Sequence, residues 1–366
     1  MLEEKTDERK SFYHQILIRY STYWKIAKQF SVLWTYAKAI VFSVSFRRIG
    51  NLIILLISYF LSIMFRKPLL WGSPWSLSIE PINVCNLKCP ECPTGMGILK
   101  RPKGMLTVEH FEQCLNSLPR SLWHVNLYFQ GEPIMHPDFF TLVQKTKQRK
   151  LLTSTSTNAH YLSYEQALKV VKSGLDTLIV SFDGVTQKVY EQYRVGGDIQ
   201  KVFEGVKNLV KAKRELGQST PVVVAQFLVF HHNEHQIEDF KNIAFDLGVD
   251  KLELKTAQVY DVKNKYHILP EQSKFSRYSL QKDGTVELKG SIKNKCWKHW
   301  SSAVITWDGE VVPCCFDKDG EHALGNVFQT TFNEIWQHSN YYKFRKQVLQ
   351  NKEKINICLN CPIGRA

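Results

Sequence analysis

The sequence predicts an α/β fold built on a parallel sheet, with a basic, apolar, helical segment before it and a small cysteine-rich domain after it. Three observations support this prediction. β-rich runs alternate with amphipathic helices in the middle of the chain, apolar and basic side chains dominate the first 70 residues, and five of the nine cysteines follow residue 295. A chain of 366 residues is long enough for one large domain with appendages. The predicted divisions are an N-terminal segment, a core, a linker and a C-terminal domain, at 1–70, 75–256, 257–292 and 293–366.

The composition is that of a globular protein, with 44% hydrophobic and 22% charged residues. Lys and Arg number 48 against 34 Asp and Glu, and residues 1–70 hold eleven of the basic and four of the acidic side chains, an excess of +7. Basic charge within an apolar segment is typical of contact with an anionic membrane surface and disfavours a nucleic-acid partner. The residues after Met1 lack the features of a secretory signal. A cytoplasmic location is therefore expected, where clustered cysteines bind metal more often than they form disulfides.

The run Ile49–Phe65 contains no charged residue and lies between Arg47-Arg48 and Arg66-Lys67. Its 17 residues are at the lower limit for crossing a bilayer, and basic residues on both sides give no orientation. Three interpretations stay open: an in-plane membrane helix, helices packed on the outside of the main domain, and a spanning helix. Together with the apolar stretch before it, residues 30–67 are the expected contact with a membrane, which would place the protein at the inner membrane surface.

From Trp75 onward, β-rich runs alternate with helical patterns. The runs expected to form strands are Ser76–Glu80, Val125–Phe129, Leu151–Ser156, Thr177–Phe182, Val222–Phe230 and Lys251–Leu254. Apolar residues recur every three or four positions in the helices between them, Phe139–Lys150, Tyr164–Ser173, Val202–Glu215 and Gln236–Leu247. This alternation predicts a parallel sheet with helical crossovers, in which ligands bind at the carboxyl ends of the strands.

Three cysteines follow the first predicted strand in the pattern C-x3-C-x2-C: Cys85, Cys89 and Cys92. Three thiolates on a short loop can hold three irons of a 4Fe–4S cluster and leave the fourth iron open to a substrate or cofactor, whereas an electron-transfer cluster uses four cysteines. A zinc site would need a fourth ligand nearby, and the only close histidine is His110. Cys114 lies in the predicted helix Val108–Leu118 and is expected to be a buried apolar residue.

This loop resembles the radical SAM superfamily, which carries C-x3-C-x2-C after the first strand of a partial (β/α)6 TIM-like barrel. The resemblance implies that S-adenosylmethionine binds the open iron through its amino and carboxylate groups. One-electron reduction, by a donor such as flavodoxin or ferredoxin, would cleave it to a 5′-deoxyadenosyl radical that abstracts a substrate hydrogen. The family usually has an aromatic residue before the third cysteine, where this chain has Glu91.

Short motifs at the following strand ends also resemble the family. Gln130–Pro133 is similar to G-G-E-P with the first glycine replaced, Thr157–Ala159 is similar to T-N-G, Ser181–Gly184 matches S-x-D-G, and Tyr193–Gly197 recurs in the superfamily. A glycine at the second strand end would let backbone carbonyls approach the methionyl amino group, and the planar fork of Arg194 could pair with the methionyl carboxylate. The expected cofactor-binding residues are Gly131, Glu132, Pro133, Asn158, Ser181, Asp183 and Arg194.

The C-terminal cysteines form a second pattern. Cys296, Gly309 and Cys314 follow C-x12-G-x4-C, with a hairpin signal at Trp307–Glu310, and Cys358-x2-Cys361 comes after the helical stretch Phe332–Leu349. This spacing resembles the SPASM and twitch extensions of radical SAM enzymes, which hold auxiliary iron–sulfur clusters. A full SPASM domain has seven cysteines for two clusters, so the five found here imply one auxiliary 4Fe–4S cluster, with the ligands Cys296, Cys314, Cys358 and Cys361. A structural four-cysteine zinc site is the alternative, and Cys315 is either an alternate ligand or a structural neighbour.

The predicted function is radical SAM oxidation or cross-linking of a peptide or a sugar-like alcohol, with the auxiliary cluster as acceptor of the second electron. The sequence identifies no catalytic residue, although Glu234 and Asp261 follow the fifth and sixth strands and are candidates for the proton acceptor. Two alternatives stay open. One is a radical SAM enzyme at the membrane surface that modifies a lipid-linked or glycan intermediate; the other is a non-enzymatic iron–sulfur scaffold or electron carrier, which would need four ligands per cluster.

Overall fold

A computed structural model shows an eight-stranded sheet with helices packed against it, and it describes residues 28–260, 266–282 and 285–365. The sheet has the order β10-β9-β1-β2-β3-β4-β5-β6, and its first six strands in chain order are all parallel. Those six are β1 Ser76–Ile79, β2 His124–Asn126, β3 Leu152–Thr157, β4 Thr177–Ser181, β5 Val222–Val229 and β6 Lys251–Thr256. The predicted strands and their parallel arrangement are thereby confirmed, with ends that differ by at most three residues.

Helices connect the strands of the sheet and cover its outer face. They are α3 Pro93–Met96, α4 Val108–Ser117, α5 Phe139–Gln148, α6 Tyr164–Lys172, α7 Gln187–Tyr193, α8 Ile199–Glu215 and α9 Ile237–Asp246. Helix α8 begins three residues before the predicted start, because the Asp198 carboxylate accepts a hydrogen bond from the Gln200 N–H and caps the helix there. The apolar faces of these helices and the strand residues Leu77, Val125 and Val180 form one continuous buried core.

The C-terminal region extends the same sheet. Strand β9 (Ser302–Ile305) pairs in parallel with β1, and it turns back through the predicted hairpin into β10 (Val311–Val312). Gly309 in that turn has φ +85°. The stretch expected to be a linker contains an antiparallel hairpin of β7 (Tyr278–Leu280) and β8 (Val286–Leu288).

The remaining helices lie in this C-terminal region: α10 Lys298–Ser301, α11 Phe332–Gln337, α12 Ser339–Gln350 and α13 Asn356–Leu359. The single helical stretch predicted over Phe332–Leu349 is thus two helices. A capping box of Thr331 and Glu334 begins the first, and His338 caps the start of the second.

Two N-terminal helices lie across the amino ends of the parallel strands. Helix α1 covers 28–43 and α2 covers Phe46–Phe65. The Arg48 guanidinium donates to the Lys150 carbonyl oxygen (2.9 Å), just before β3, and the Tyr36 and Thr177 hydroxyls lie 3.5 Å apart at the start of β4. Helix α2 is the one helix in the described ranges that is long and apolar enough to cross a membrane.

Candidate functional site

A cavity of about 350 Å³ opens at the carboxyl ends of the parallel strands, at the opposite edge of the sheet from α1 and α2. Its wall includes the cysteine loop after β1 and residues from the ends of β2 to β6, because all parallel strands of one sheet end at the same edge. Most of the residues predicted to bind iron or cofactor in the barrel line it: Cys85, Cys89, Cys92, Gly131, Glu132, Asn158, Ser181 and Arg194.

The first three cysteines lie on a tightly packed loop. Cys92 is the residue before the short helix α3, and the next turn approaches so closely that a Cβ on Gly95 would lie 2.5 Å from the Cys89 nitrogen. The Leu87 N–H donates to the Cys85 sulfur at 3.4 Å. Burial raises the pKa of the Cys85 thiol to about 12 and also raises that of Cys89. These thiols therefore become thiolates only when a metal compensates their charge, as it does in an iron–sulfur site.

Gly131 and Glu132 shape the end of β2. Gly131 has φ +77°, and a Cβ there would lie 2.5 Å from the carbonyl oxygen of Ile82. The Glu132 carboxylate is buried, and it accepts hydrogen bonds from the Thr157 hydroxyl (2.6 Å) and the Asn158 N–H (2.7 Å). Burial raises the pKa of Glu132 above its ordinary value, and these two hydrogen bonds offset only part of that rise. Glu132 thus connects the ends of β2 and β3 and positions Asn158.

Asp183 and Arg194 form a buried pair on one side of the cavity. Arg194 donates from Nε to Asp183 Oδ2 at 2.7 Å, and its Nη1 lies 3.8 Å from the Cys89 sulfur. Burial lowers the pKa of Arg194, but the neighbouring Asp183 and Cys89 together raise it by more. The net pKa is well above the ordinary value of arginine. Asp183 is fully buried and is outside the cavity lining. Asp183 thus positions Arg194, which faces the cavity, and its predicted part in cofactor binding would act through Arg194.

The other predicted cofactor residues occupy different places. Asn158 donates from Nδ2 to Asn86 Oδ1 (2.8 Å) and lies 3.9 Å from the Cys85 sulfur, while Ser181 lines the cavity at the end of β4. Pro133 is buried at the first position of a 3₁₀ turn and does not line the cavity. It shapes the chain after Glu132 rather than facing a ligand.

Glu91 occupies the position before the third cysteine, where the family usually has an aromatic residue. Its carboxylate accepts a hydrogen bond from the Tyr260 N–H at 2.8 Å, just after β6. The cysteine loop is thereby joined to the end of the last barrel strand. Glu91 also lines the cavity.

The C-terminal cysteines surround a second, small cavity. It is lined by all four predicted ligands, which are buried, and by the exposed Cys315: Cys296, Cys314, Cys315, Cys358 and Cys361. Burial raises the pKa of Cys358 to about 12 and raises the pKa of Cys314 well above its ordinary value. The main contributor in each case is desolvation of the thiolate, so these thiols also need a metal to ionise.

The spacing of the thiols distinguishes a cluster from a single zinc ion. Around one tetrahedral zinc, sulfur atoms lie about 3.8 Å apart. In the part of the chain that the structure describes, the only three ligand atoms within 4.8 Å of one another belong to His231, Glu234 and Glu271 at the surface. No three thiols of either cysteine group are that close. Both groups therefore fit an iron–sulfur cluster, whose irons and sulfides lie between the cysteines, better than a single zinc ion.

The two cavities meet at Cys315 and Phe316, which line both of them. Two cations from outside the barrel strands also line the larger one, Lys318 and Arg277. Burial lowers the pKa of each. The Lys318 ammonium lies 4.9 Å from the centre of the Tyr260 ring, and Arg277 donates to Thr256 at the end of β6.

Sequence reasoning missed Arg277 and Lys318 because they come from segments far along the chain that only the fold brings to the barrel. Gln226, inside the second half of β5, and Gln258, two residues after β6, were also missed, although the strand-end rule could have found Gln258. The proton-acceptor candidate Glu234 lies outside the cavity lining, and its carboxylate is 3.6 Å from the His231 ring. Asp261 lies outside the described residues.

Comparison with known proteins adds family matches to this geometry. The family model of the radical SAM superfamily matches residues 79–244, and that of SPASM, an iron–sulfur cluster-binding domain, matches residues 296–362. These matches confirm the expected family, the SPASM form of the extension, and the cofactors: a 4Fe–4S cluster and S-adenosylmethionine in the first domain, and auxiliary iron–sulfur in the second.

Individual relatives and structures agree. The tungsten-containing aldehyde ferredoxin oxidoreductase cofactor-modifying protein of Pyrococcus furiosus is 27% identical over 298 residues, 74% of this chain and 82% of that protein. The PqqA peptide cyclase of Bradyrhizobium diazoefficiens is 25% identical over 312 residues, 79% of each chain. The crystal structure of Streptococcus suis SuiB bound to the precursor peptide SuiA has a TM-score of 0.58 at 17% identity, covering 80% of this chain and 70% of that one. This last similarity shows that the predicted fold class is correct.

Proposed function

Since this chain belongs to the radical SAM superfamily and is an enzyme with a C-terminal SPASM domain, we propose that it oxidises or cross-links a peptide. When bound, the cluster and S-adenosylmethionine supply a radical that takes a hydrogen atom from the substrate. The observation that carries the proposal is the shared border of the two cavities at Cys315 and Phe316. A substrate in the larger cavity would lie between the first cysteine group and the auxiliary one, where an electron can leave it.

The cations of the cavity favour a substrate with carbonyl or carboxylate oxygens. Arg194 is neutralised by Asp183, whereas the Lys318 ammonium has no hydrogen-bond acceptor among the described residues. Arg277 donates to neutral oxygens of Thr256 and keeps its net charge. A peptide offers acceptors of this kind along its whole backbone. Lys318 and Arg277 would then hold the substrate on the side of the cavity that faces the auxiliary cysteines.

The relatives point the same way. One of them is a cyclase of the PqqA peptide, and the SuiB structure contains a precursor peptide. Net oxidation would remove one hydrogen atom, one electron and one proton from the peptide, which would then be lighter by two hydrogen atoms. A cross-link formed within the peptide has the same balance.

The test uses the reconstituted enzyme with unlabelled S-adenosylmethionine and a reductant, and fractions from cells grown in deuterated medium. Deuterium in 5′-deoxyadenosine, measured by mass spectrometry, reports which fraction contains the hydrogen donor. We expect transfer from the peptide fraction, together with a peptide that loses one carbon-bound deuterium and one further hydrogen, which is deuterium if it was bound to carbon and protium if it was exchangeable. Transfer only from the lipid extract or from small sugars would contradict the proposal, and so would the absence of transfer from every fraction.

The matched control for this experiment is the triple variant Cys85→Ala/Cys89→Ala/Cys92→Ala. We expect it to form no 5′-deoxyadenosine from any fraction, because the cluster that binds S-adenosylmethionine would have lost its three protein ligands. Transfer by the triple variant would show that the deuterium signal has another source.

The two alternatives from the sequence are less well supported. Helices α1 and α2, the expected membrane contact, lie at the amino ends of the strands, and the cavity opens at the carboxyl ends. A lipid-linked intermediate in the same bilayer would have to reach around the domain. A role as an iron–sulfur scaffold or electron carrier does not account for the match to a family of enzymes. It also does not account for a first site with only three cysteines, since a carrier cluster uses four.

A further inference from the structure

Helix α2 has the opposite polarity to a helix on the surface of a soluble domain, since its buried residues are mostly polar (Arg48, Ser58 and Ser62) and its exposed residues are mostly apolar. We propose that the outer face of α1 and α2 binds the surface of an anionic lipid bilayer, with both helices in the plane of the membrane. This proposal does not depend on the reaction catalysed.

The inner face of α2 is attached to the domain by hydrogen bonds. The Asn51 side chain exchanges two with the backbone of Ser73 (2.8 and 2.9 Å). The Ser62 hydroxyl donates to the Leu69 carbonyl oxygen (3.0 Å) and accepts from the Leu69 N–H (2.9 Å). At the other end, buried Arg48 donates to the Lys150 carbonyl oxygen. These attachments, from Arg48 to Ser62, span about 21 Å of a helix about 30 Å long.

The outer face is apolar and large. Of the 25 large hydrophobic side chains that are exposed in the described ranges, 16 lie between residues 30 and 65. On α2 they include Ile53, Ile57, Phe60 and Met64, which share one face of the helix. Helix α1 adds Trp34, 64% exposed, and Val41, 71% exposed. A patch of this size on a folded domain marks a surface that binds something apolar.

Charge identifies the partner. No Asp or Glu occurs between Glu8 and Glu80. Exposed basic residues lie at both ends of α2, with Arg47 in its first turn and Arg66 and Lys67 after it, and Lys38 is exposed on α1. An apolar face with a basic rim and no acidic residue is complementary to an anionic lipid surface, in which acyl chains lie beneath acidic headgroups.

The attachments decide between lying in the membrane plane and crossing it. A spanning α2 would have to break the hydrogen bonds of Asn51, Ser62 and Arg48 and place these side chains in hydrocarbon without partners. In the plane, all of them keep their partners and only the apolar face enters the lipid. Two of the interpretations from the sequence are therefore compatible: α2 packs on the outside of the domain with one face and would lie in the membrane plane with the other.

The experiment is vesicle flotation of the full-length, cluster-loaded protein. The probes are vesicles of phosphatidylcholine alone and vesicles of equal parts phosphatidylcholine and phosphatidylglycerol. We expect the protein to float with the anionic vesicles, to float less with the neutral ones, and to be released as the ionic strength rises. In the variant Ile53→Gln/Ile57→Gln/Phe60→Gln, the fraction bound should fall by roughly tenfold or more, because the inserted apolar area is reduced.

A matched control replaces three exposed apolar residues elsewhere, Leu252, Leu280 and Tyr342, with glutamine. This control should float like the unmodified protein. Both variants change only exposed positions, so both should fold. An iron content equal to that of the unmodified protein would check this, because the clusters bind only to the folded chain.

Several results would overturn the proposal. The unmodified protein could stay unbound in the presence of anionic vesicles, and a dimer by light scattering would then assign the apolar face to a second copy of the chain. Equal binding of the α2 variant and the control would place the contact in another segment. Retention in the membrane after alkaline carbonate extraction would indicate a spanning helix.

Discussion

At the scale of single residues, the cofactor side of the cavity depends on backbone atoms that lie unusually close together. Gly131 has φ +77° and is followed by Glu132, whose N–H donates to the Val84 carbonyl oxygen at 2.9 Å. A Cβ at position 131 would lie 2.5 Å from the Ile82 oxygen and 2.7 Å from the Val84 oxygen. A side chain here would thus push the end of β2 away from the cysteine loop.

Gly131→Ala is expected to lower the free energy of unfolding by about 3 kcal/mol, since the left-handed backbone and the clash both oppose alanine. It should also reduce binding of S-adenosylmethionine by the cluster-loaded protein. Urea unfolding and equilibrium dialysis measure the two effects. The control is Gly217→Ala, because Gly217 has φ +61° and no atom within 4 Å of its Cβ position. The control should lose only about 1–2 kcal/mol and keep cofactor binding; equal losses in both variants would mean that the clash is relieved without consequence.

At the scale of structural elements, a buried ion pair joins the first barrel strand to the C-terminal region. The Glu80 carboxylate, after β1, accepts two hydrogen bonds from the Arg101 guanidinium, both 2.8 Å long. Arg101 also donates from Nε to the carbonyl oxygen of Lys318 (2.7 Å), and both charged side chains are almost completely buried. Arg101 therefore positions the segment that carries Cys315 and Lys318 along the cavity.

Arg101→Met should lower the free energy of unfolding by about 3–5 kcal/mol, because it leaves the Glu80 carboxylate buried without a counter-charge and with only the Trp307 N–H as a partner. The adjacent residue supplies the control: Lys100 pairs with Glu321 at the surface, so Lys100→Met should leave unfolding unchanged within error. The double variant Glu80→Leu/Arg101→Met should recover part of the loss, since no charge then stays buried. Thermal or urea unfolding checks all three, and equal stability of Arg101→Met and Lys100→Met would contradict this role.

At the scale of the whole molecule, two cysteine groups and two opposite faces organise the protein. One group lies on the loop after β1, the other in the C-terminal region, and β9 brings them together by pairing with β1. The cavity opens at the carboxyl edge of the sheet, and the apolar helices lie at the amino edge. If α1 and α2 bind a lipid surface as we propose, the substrate would enter from the aqueous side.

Iron and acid-labile sulfide per chain test the two-cluster arrangement. We expect about eight irons in the reconstituted protein and about four in the Cys85→Ala/Cys89→Ala/Cys92→Ala variant. Alanine at Cys296, Cys314, Cys358 and Cys361 should also leave about four, and in that variant S-adenosylmethionine cleavage should persist if the protein stays folded.

Two single variants complete the iron measurement. Cys114→Ala is the control and should retain all the iron, since Cys114 is buried in α4 and lines neither cysteine cavity. Cys315→Ala should also retain it if the four predicted residues are the ligands. Loss of about four irons from Cys315→Ala would make Cys315 a ligand, and zinc in place of iron would show that the auxiliary site is structural.

The sequence alone determined the alternation of strands and helices, the family and the cofactors. These depend on local signals: period-2 and period-3.6 patterns place the elements, and C-x3-C-x2-C needs only a short loop at a strand end. The predicted strand over Thr177–Phe182 ends one residue early in the structure, at Ser181, because the edges of elements depend on neighbours. Asp183 was correctly placed at a strand end, yet its side chain turns to Arg194 and Leu228, which no spacing rule specifies.

Tertiary structure alone decided which distant segments meet. The pairing of β9 with β1, the approach of Lys318 and Arg277 to the cavity, and the use of Glu91 to hold the Tyr260 N–H each join residues that are far apart in the chain. The direction of α2 was also decided there, since its composition is compatible with an in-plane membrane helix, a helix packed on the outside of the domain or a spanning helix. Only the hydrogen bonds of Asn51 and Ser62 show which face meets the protein, because burial of a polar group requires a partner that the local sequence does not contain.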